Sequence, residues 1–206
     1  SSKAEMSRKR LWIKGLSYSQ TQTGAYALVL GEEGGPRTLP IIIGAFEAQS
    51  IAVALEKEIN PPRPLTHDLF AQFARTFTIE LKEVIIHSLK EGVFHASLVC
   101  VDKDGKEEVL DARTSDAVAL ATRFDCPVFT YEQILEKAGV VLDEKEEAAS
   151  VEEDEEEAME ELLDAAEESE ERSIDDLNQD LDKAVRNEDY ELAARLRDEI
   201  NKREKN

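Results

Sequence analysis

Apolar and polar positions alternate along much of the first 140 residues, and many of the apolar positions carry β-branched or aromatic side chains. A period of two is typical of strands that bury one face. Turn-forming residues separate these runs, most densely at residues 31–37 (GEEGGPR), and residues 102–106 have the composition of a hairpin turn. The pattern predicts strands over residues 10–19, 25–33, 38–44, 78–90, 93–102, 107–113 and 126–131.

A period of 3.6 residues replaces the alternation in four places and predicts helices there. These helices cover residues 45–59, 67–77, 115–124 and 131–139. Thr66 precedes the second helix, and Thr130 forms a capping-box pattern with Gln133 at the fourth, so we expect both threonines to be N-caps. Runs of strands interrupted by helices indicate an α+β fold, with a mixed sheet and a few packed helices.

The C-terminal residues 172–206 have the pattern of a helical hairpin. Ser173 and Asp176 match a helix start, and a break at residues 187–189 separates two stretches with helical spacing. The apolar positions of the two helices are Ile174, Leu177, Leu181, Val185, Leu192, Leu196 and Ile200. Because a piece of this size buries little apolar surface alone, we expect it to pair with a second copy of itself or with another protein.

The net charge of −21 is concentrated in one segment. Residues 141–171 contain 17 acidic residues and one basic residue, whereas residues 1–140 sum to −3. Like charges at this density oppose compaction, so we expect an extended, disordered acidic linker. The chain is therefore expected to have three parts: a folded domain over residues 8–140, the linker over 141–171 and the hairpin over 172–206.

The remaining composition favours a soluble cytoplasmic protein. Cys100 and Cys126 lie in no CxxC motif or Cys/His cluster, which argues against a zinc site and favours two core cysteines in a reducing compartment. No apolar run is long enough to cross a bilayer, and the first ten residues lack the apolar centre of a signal peptide. We therefore expect no membrane partner.

Three stretches of the first domain together point to a family. LPIIIGAFEAQSIAVALE, PRPLTHDLF and DARTSDAVALA, in this order and spacing, resemble the bifunctional nuclease domain family of bacteria and plants. The resemblance covers residues 11–138, and this chain has Thr114 where the family usually carries proline. It implies an α+β nuclease-like domain that hydrolyses phosphodiester bonds in both DNA and RNA.

The C-terminal hairpin has a resemblance of its own. The sequence IDDLNQDLDKAVRNEDYELAARLRDEI, within residues 173–203, is similar to the UVR motif of UvrB and UvrC. The resemblance implies a module for protein–protein interaction and a possible homo-oligomer. The expected partner-binding residues are Tyr190, Ala194 and Arg197.

The stretches that match the nuclease family supply groups suited to phosphodiester hydrolysis, which needs an activated water and neutralisation of the phosphate. The candidate catalytic residues are Glu47, His67, Asp68, Asp111 and Asp116. The candidate phosphate-binding residues are Arg63, Thr66, Arg113 and Ser115. Asp111 and Asp116 are also candidate ligands for a divalent Mg²⁺ or Mn²⁺ ion, since carboxylates suit these metals.

Each candidate also has a purely structural interpretation. Thr66 and Ser115 can be N-caps, first-turn carboxylates can complement the helix dipole, and Asp111 can pair with Arg113 two residues along the strand. The functional hypothesis is geometric: the N-termini of the second and third helices face one cleft and bind a shared phosphate. In a further hypothesis the acidic linker mimics a phosphate backbone and occupies that cleft. The alternative function is a non-catalytic regulatory or scaffold protein that binds a partner through the hairpin.

Overall fold

The computed structural model describes residues 7–141 and 148–205, with the side chains of 148–152 and 167–173 left out. The expectations for residues 1–6, 142–147 and 206 lie outside the described residues. Within the described residues the chain forms two compact units, which divide between Leu163 and Asp164.

The first unit is built on one eight-stranded sheet. Its strands are β1 (Arg8–Tyr18), β2 (Tyr26–Glu32), β3 (Arg37–Ile43), β4 (Glu80–Lys90), β5 (Val93–Val101), β6 (Glu107–Arg113), β7 (Val128–Tyr131) and β8 (Val140–Val141). The strand order is β6-β5-β4-β7-β1-β2-β3-β8. Neighbouring strands are antiparallel except β4 and β7, which are parallel. The predicted mixed sheet and α+β class are therefore confirmed.

Six helices accompany the strands in the described residues. They are α1 (Ala45–Leu55), α2 (Thr66–Thr76), α3 (Thr114–Phe124), α4 (Glu132–Ala138), α5 (Ala148–Arg186) and α6 (Tyr190–Glu204). Helix α3 packs against α1, α2 and the strands β4, β5 and β6. Its central residues, Ala117 to Ala121, are all buried, because the DAVALA stretch is apolar on nearly every side. Helix α3 thus anchors the start of α2 and the start of α1 near its own N-terminus.

The expected N-caps are not made by the predicted side chains. The cap residue of α2 is Leu65 rather than Thr66, and the carboxylate of Asp68 accepts a hydrogen bond from the Leu65 backbone N–H at 2.9 Å. Strand β6 runs directly into α3, so its last residue, Arg113, takes the cap position and Ser115 lies buried inside the first turn. The capping prediction for Thr66 and Ser115 was wrong.

Thr130 does not cap α4 either. It lies on strand β7, is fully buried, and donates a hydrogen bond to the carbonyl oxygen of Ile86 on β4 at 2.9 Å. Because that bond joins two parallel strands of the sheet, the hydroxyl is not available to the helix, and the residue before α4 is Tyr131.

The acidic segment is helical from Ala148 onward, not extended. Ala158 and Leu162, one helical turn apart, are buried in the core of the first unit with Leu16 and Leu28. Glutamate is a good helix former, and the apolar stripe gives the helix a face to bury. Packing of that stripe outweighs the charge repulsion that favoured an extended chain in the sequence. The expected helix start at Ser173 is also absent, since α5 continues through it to Arg186.

The second unit contains the end of α5 and helix α6, joined by a short turn at residues 187–189. Asp189 caps α6 by accepting a hydrogen bond from the Leu192 backbone N–H. The buried apolar positions of this unit among the described side chains are Ala166, Ala184, Ala193 and Ile200. No helix in the described residues has the length and apolarity that a membrane span requires.

Candidate functional site

The starts of α2 and α3 meet through a pair of side chains. The Nε2 atom of His67, in the first turn of α2, lies 2.8 Å from Oδ1 of Asp116, in the first turn of α3. Both side chains are mostly buried. The expectation that two separate helix N-termini come together is thus realised in this direct contact.

Arg113 connects this pair to α1. Its Nε donates to Oδ2 of Asp116 at 2.8 Å, and its Nη2 lies 2.9 Å from Oε1 of Glu47. Glu47 belongs to the first turn of α1, where a carboxylate also complements the helix dipole. Arg113 remains 68% exposed, so a guanidinium held in place by two carboxylates still faces solvent. Its Nη1 makes no hydrogen bond to any residue that the structure describes.

A serine that the sequence analysis did not select completes the chain of contacts. Oγ of Ser50, on α1, lies 2.6 Å from Nδ1 of His67. Ser50 is only 3% exposed, so its hydroxyl is out of reach of a substrate. Ser50 follows Glu47 by three residues and therefore lies on the same helical face, which is the signal that could have identified it.

The partners of His67 determine which ring nitrogen carries the proton in the neutral state. The ionised carboxylate of Asp116 only accepts hydrogen bonds, so Nε2 must carry the hydrogen, and Nδ1 accepts from the Ser50 hydroxyl. Both nitrogens are engaged. In this arrangement His67 orients Asp116 rather than standing ready as a free base or a metal ligand.

A second ion pair fixes α2 on α3. Nε of Arg123, near the end of α3, donates to Oδ1 of Asp68 at 2.7 Å, and the Arg123 side chain is 7% exposed. Arg123 also donates to the backbone carbonyl oxygen of Ser50 at 3.1 Å. Asp68 is therefore committed to helix packing, and Arg123 is the second residue of this region that sequence reasoning missed. Its seven-residue spacing from Asp116 places both on one face of α3.

The surrounding charges keep Asp116 ionised. Burial raises the pKa of this carboxyl, but hydrogen bonds from Arg113 and His67 together outweigh it and hold the pKa below its ordinary value. The hydrogen bond to Asp116, reinforced by Glu47, raises the pKa of Arg113. The site therefore presents a permanent cation that is held between two carboxylates.

Comparison with known proteins assigns this arrangement to a family. The model of the bifunctional nuclease domain matches residues 28–143, which include every residue of the network just described. The chain belongs to the bifunctional nuclease domain family. Two uncharacterized proteins, from two strains of Mycobacterium tuberculosis, are each 42% identical over 139 residues, covering 66% of this chain and 80% of theirs. The UvrB/UvrC motif matches residues 171–205.

Membership of the bifunctional nuclease domain family indicates a nuclease-like function, and the UvrB/UvrC motif indicates an interaction module. Both resemblances deduced from the sequence are confirmed.

Four of the candidate residues lie outside the network. Arg63 and Thr66 are exposed, and Arg63 makes no hydrogen bond or ion pair with a described residue. Ser115 is buried in the first turn of α3. Asp111 is exposed on β6 opposite Ser97 and does not pair with Arg113, whose partners are Glu47 and Asp116.

The carboxylates of this bifunctional nuclease domain do not form a ready metal site. No group of three or more His, Cys, Asp or Glu side chains within the described residues is arranged to hold a metal ion. The reason is visible in the network, since the guanidinium of Arg113 lies between Glu47 and Asp116, the position a cation would take. The expected ligand pair of Asp111 and Asp116 does not fit a resident ion in this arrangement.

Proposed function

We propose that the first unit hydrolyses phosphodiester bonds in single-stranded DNA and RNA, and that Arg113 binds the scissile phosphate. The observation that carries the proposal is the fixed, solvent-facing guanidinium at the junction of α1, α2 and α3. Family membership supports a nuclease-like class, and the geometry supports the choice of Arg113 as the phosphate-binding residue.

The guanidinium of Arg113 suits a phosphate in both charge and shape. Nε and Nη2 are held by Asp116 and Glu47, and the two N–H donors of Nη1 make no hydrogen bond to a described residue. A phosphate oxygen that accepts from Nη1 gains a charge-assisted hydrogen bond without a loss of side-chain freedom, because the guanidinium is already positioned. Negative charge that develops on the phosphate during attack by water is stabilised in the same way.

Glu47 is the group best placed to accept the proton of the attacking water. Its Oε1 is bound to Arg113, whereas Oε2 makes no hydrogen bond to a described residue. Gly44 leaves room for this oxygen, since a Cβ atom there would lie 2.6 Å from Oε2. A general base must lie within hydrogen-bond reach of the water it activates. In the proposed step Glu47 takes a proton from the water as the water oxygen bonds to phosphorus. The P–O bond to the leaving nucleotide oxygen breaks, and solvent water protonates that oxygen.

The proposal assigns supporting roles to the other network residues. His67 and Ser50 hold Asp116, and Asp116 with Glu47 holds Arg113. Mg²⁺ or Mn²⁺ remains part of the proposal as a cofactor to be tested, but no step here depends on it. Comparison of cleavage with EDTA and with added Mg²⁺ or Mn²⁺ shows whether the ion contributes to hydrolysis.

The C-terminal unit is proposed to bind a protein partner. Tyr190, Ala194 and Arg197 are exposed on α6 at spacings of four and three residues, so they share one face of the helix. An exposed tyrosine and arginine on a common face are the side chains most enriched at binding hot spots. This is the same surface that the sequence analysis assigned to partner binding.

The test of hydrolysis compares wild type with Glu47→Gln on labelled single-stranded DNA and RNA, each with EDTA, Mg²⁺ or Mn²⁺. The amide keeps the shape but accepts protons poorly, so we expect kcat to fall about 100-fold, as for loss of a general base. Glu33→Gln is the matched control, since Glu33 makes an exposed ion pair with Arg10. Equal kcat for wild type and Glu47→Gln would remove Glu47 from this role.

Absence of cleavage by wild type with every ion, together with capture of a protein by the hairpin, would favour the scaffold function.

A further inference from the structure

Phe46, in the first turn of α1, exposes most of its ring to solvent. It is 86% exposed, more than any other large apolar side chain among the described residues. Its ring makes no aromatic or cation–π contact with a described residue. Single apolar side chains are common on protein surfaces. The position of Phe46 beside the candidate site is what gives its exposure a functional meaning.

Phe46 directly precedes Glu47 on the chain. Oε1 of Glu47 lies 2.9 Å from Nη2 of Arg113, so Phe46 is one residue away from a group that holds the guanidinium. The two residues before Phe46 are Gly44 and Ala45, which have no side chain and a single methyl group. Neither can cover the ring. The ring is therefore an open surface next to the residues that hold Arg113.

Phe46 also lies on a face of α1 that is packed farther along the helix. Residues four and seven positions apart share one face, so Phe46 is aligned with Ser50 and Val53. Ser50 is 3% exposed and contacts His67 at the start of α2, and Val53 is buried. Phe46 lies one helical turn, about 6 Å along the axis, before Ser50. The ring therefore continues the packed face of α1 into solvent, at the end of the helix where the network begins.

A nucleobase is the planar group that such a ring suits. Stacking of bases on exposed aromatic rings is a main source of affinity in proteins that bind single strands, and every base has a π-face. The phenylalanine ring has no hydrogen-bonding group with which to distinguish one base from another. Inside a duplex the bases are stacked on one another, and extruding one costs energy. The ring thus fits an unpaired base of either DNA or RNA.

We propose that Phe46 stacks on the base of a nucleotide adjacent to the phosphate that Arg113 binds, and so selects single-stranded substrates. This role rests on the proposed function, in which Arg113 binds the phosphate. Phe46 takes no part in bond making and is a specificity-determining residue. Stacking needs no positive charge, which suits a domain whose residues 1–140 sum to −3.

Binding of a labelled single-stranded oligonucleotide tests the stacking. Every protein is the full chain and carries Glu47→Gln, which slows cleavage while the Kd is measured. We expect Phe46→Ala to raise the Kd about tenfold and Phe46→Trp to stay within about twofold. Phe46→Leu should resemble Phe46→Ala, because leucine is apolar but has no aromatic face. Phe77→Ala is the matched control and should leave the Kd unchanged, since Phe77 is 61% exposed at the C-terminal end of α2.

An abasic strand separates stacking from a structural role. This strand keeps the phosphates and sugars but has no bases, so Phe46→Ala should not change its Kd. The Kd of a duplex of the same sequence should also be unchanged, because its bases are not accessible. Equal losses of affinity for the normal, abasic and duplex oligonucleotides would show that Phe46 only supports the fold of the site, and would overturn the proposal. So would a Kd for the normal single strand that Phe46→Ala leaves unchanged, an equal effect of Phe77→Ala, or no binding of any single strand.

Failure of the stacking and failure of the proposed hydrolysis give different results. If Phe46 binds no base, Phe46→Ala keeps the Kd of its parent while Arg113→Ala still loses cleavage. If Arg113 is not the phosphate-binding residue, Arg113→Ala keeps the cleavage activity of wild type. A base-dependent effect of Phe46→Ala on the Kd would in that case retain Phe46 as a base-binding residue and remove only its link to Arg113.

Discussion

His67 has two hydrogen-bond partners at its ring nitrogens, and the loss of one leaves a buried polar atom unpaired. Nδ1 of His67 is bound by Ser50 at 2.6 Å in a mostly buried environment. We expect Ser50→Ala to lower the free energy of unfolding by about 1–3 kcal/mol, the usual cost of an unsatisfied buried group. Chemical denaturation measures this loss.

Ser97→Ala is the control for Ser50→Ala. Ser97 lies on β5, is partly buried, and makes no side-chain hydrogen bond to a described residue. Its removal should change stability by less than about 0.5 kcal/mol. Equal effects of the two substitutions would mean that the contact between Ser50 and His67 contributes nothing to stability.

Single residues also show where sequence reasoning succeeds and fails. Glu47, His67, Arg113 and Asp116 were selected from the sequence, and the structure joins them in one network. Ser50 was missed because its spacing of three residues from Glu47 is its only local signal, and its partner His67 is 17 residues away. Whether the selected residues perform the chemistry assigned to them is still a prediction.

Two pairs of secondary-structure elements are joined by a partly buried ion network. Arg37, at the start of β3, binds Glu32 at the end of β2 with a shortest distance of 2.7 Å. It also binds Glu132, the first residue of α4, at 2.8 Å. Hydrogen bonds from Arg37 lower the pKa of Glu32 and of Glu132 below the ordinary value for a glutamate.

Removal of Arg37 should therefore change both stability and its dependence on pH. Because both carboxyl pKa values are lowered in the folded state, their contribution is present above the ordinary glutamate pKa and is lost as pH falls through the folded values. We expect Arg37→Ala to lower the free energy of unfolding at pH 7 by about 1.5–3 kcal/mol, the range for a hydrogen bond to a charged group, through loss of its contacts with the buried Glu32. As the pH falls below about 5, the free energy of unfolding should decrease less for Arg37→Ala than for wild type.

Unfolding curves at several pH values measure both effects of Arg37→Ala. Arg10→Ala is the matched control, since Arg10 makes only an exposed ion pair with Glu33 at 3.5 Å. Exposed pairs contribute roughly 0–1 kcal/mol. Parallel pH profiles for wild type and Arg37→Ala would show that the network does not couple stability to these carboxyls.

The structure of the acidic segment differs from the structure that its composition predicts. Its charge favoured an extended linker in the sequence, yet α5 buries Ala158 and Leu162 in the core of the first unit. Tyr18 on β1 also donates a hydrogen bond to Glu161 of α5, and this bond raises the pKa of Tyr18. Deleting residues 141–206 would therefore expose core, so it is a poor test of the idea that the segment inhibits the site.

Leu162→Ala distinguishes a packed helix from an extended linker. We expect the variant to lose about 2–4 kcal/mol in unfolding free energy, since it removes a leucine that is 3% exposed. Glu160→Ala, an exposed neighbour on the same helix, should change stability by less than about 0.5 kcal/mol. Denaturation with a tryptophan probe, using Trp12 of β1, compares the two. Equal unfolding free energies for Leu162→Ala and Glu160→Ala would indicate that the segment is an extended linker rather than a packed helix.

At the scale of the whole molecule, the alternating pattern predicted seven of the eight strands of the described sheet and missed the two-residue β8. The strands predicted over residues 38–44, 78–90 and 93–102 correspond closely to β3, β4 and β5. The strand order could not be predicted, because the parallel pairing of β4 with β7 joins strands that are distant in sequence. Strand β4 in turn packs against α3. The side-chain network that joins α1, α2 and α3 depends on tertiary contacts, which the periodicity of the sequence does not predict.

The charge distribution of the molecule also shapes the expected activity. Residues 1–140 sum to −3, so their net charge does not attract nucleic acid. Affinity must come from local contacts, and Arg113 is the cation that the site presents. Loss of that one side chain should therefore have a large effect on cleavage, whereas most other surface cations should matter little.

The central claim is that Arg113, held by Glu47 and Asp116, binds the phosphate that is cleaved. The most direct measurement is kcat/KM of Arg113→Ala on a single-stranded substrate, with circular dichroism to confirm folding. Loss of a guanidinium that stabilises phosphate charge predicts a decrease of about 100-fold or more, whereas Arg10→Ala should stay within about threefold of wild type. Folded Arg113→Ala with the kcat/KM of wild type would contradict the claim.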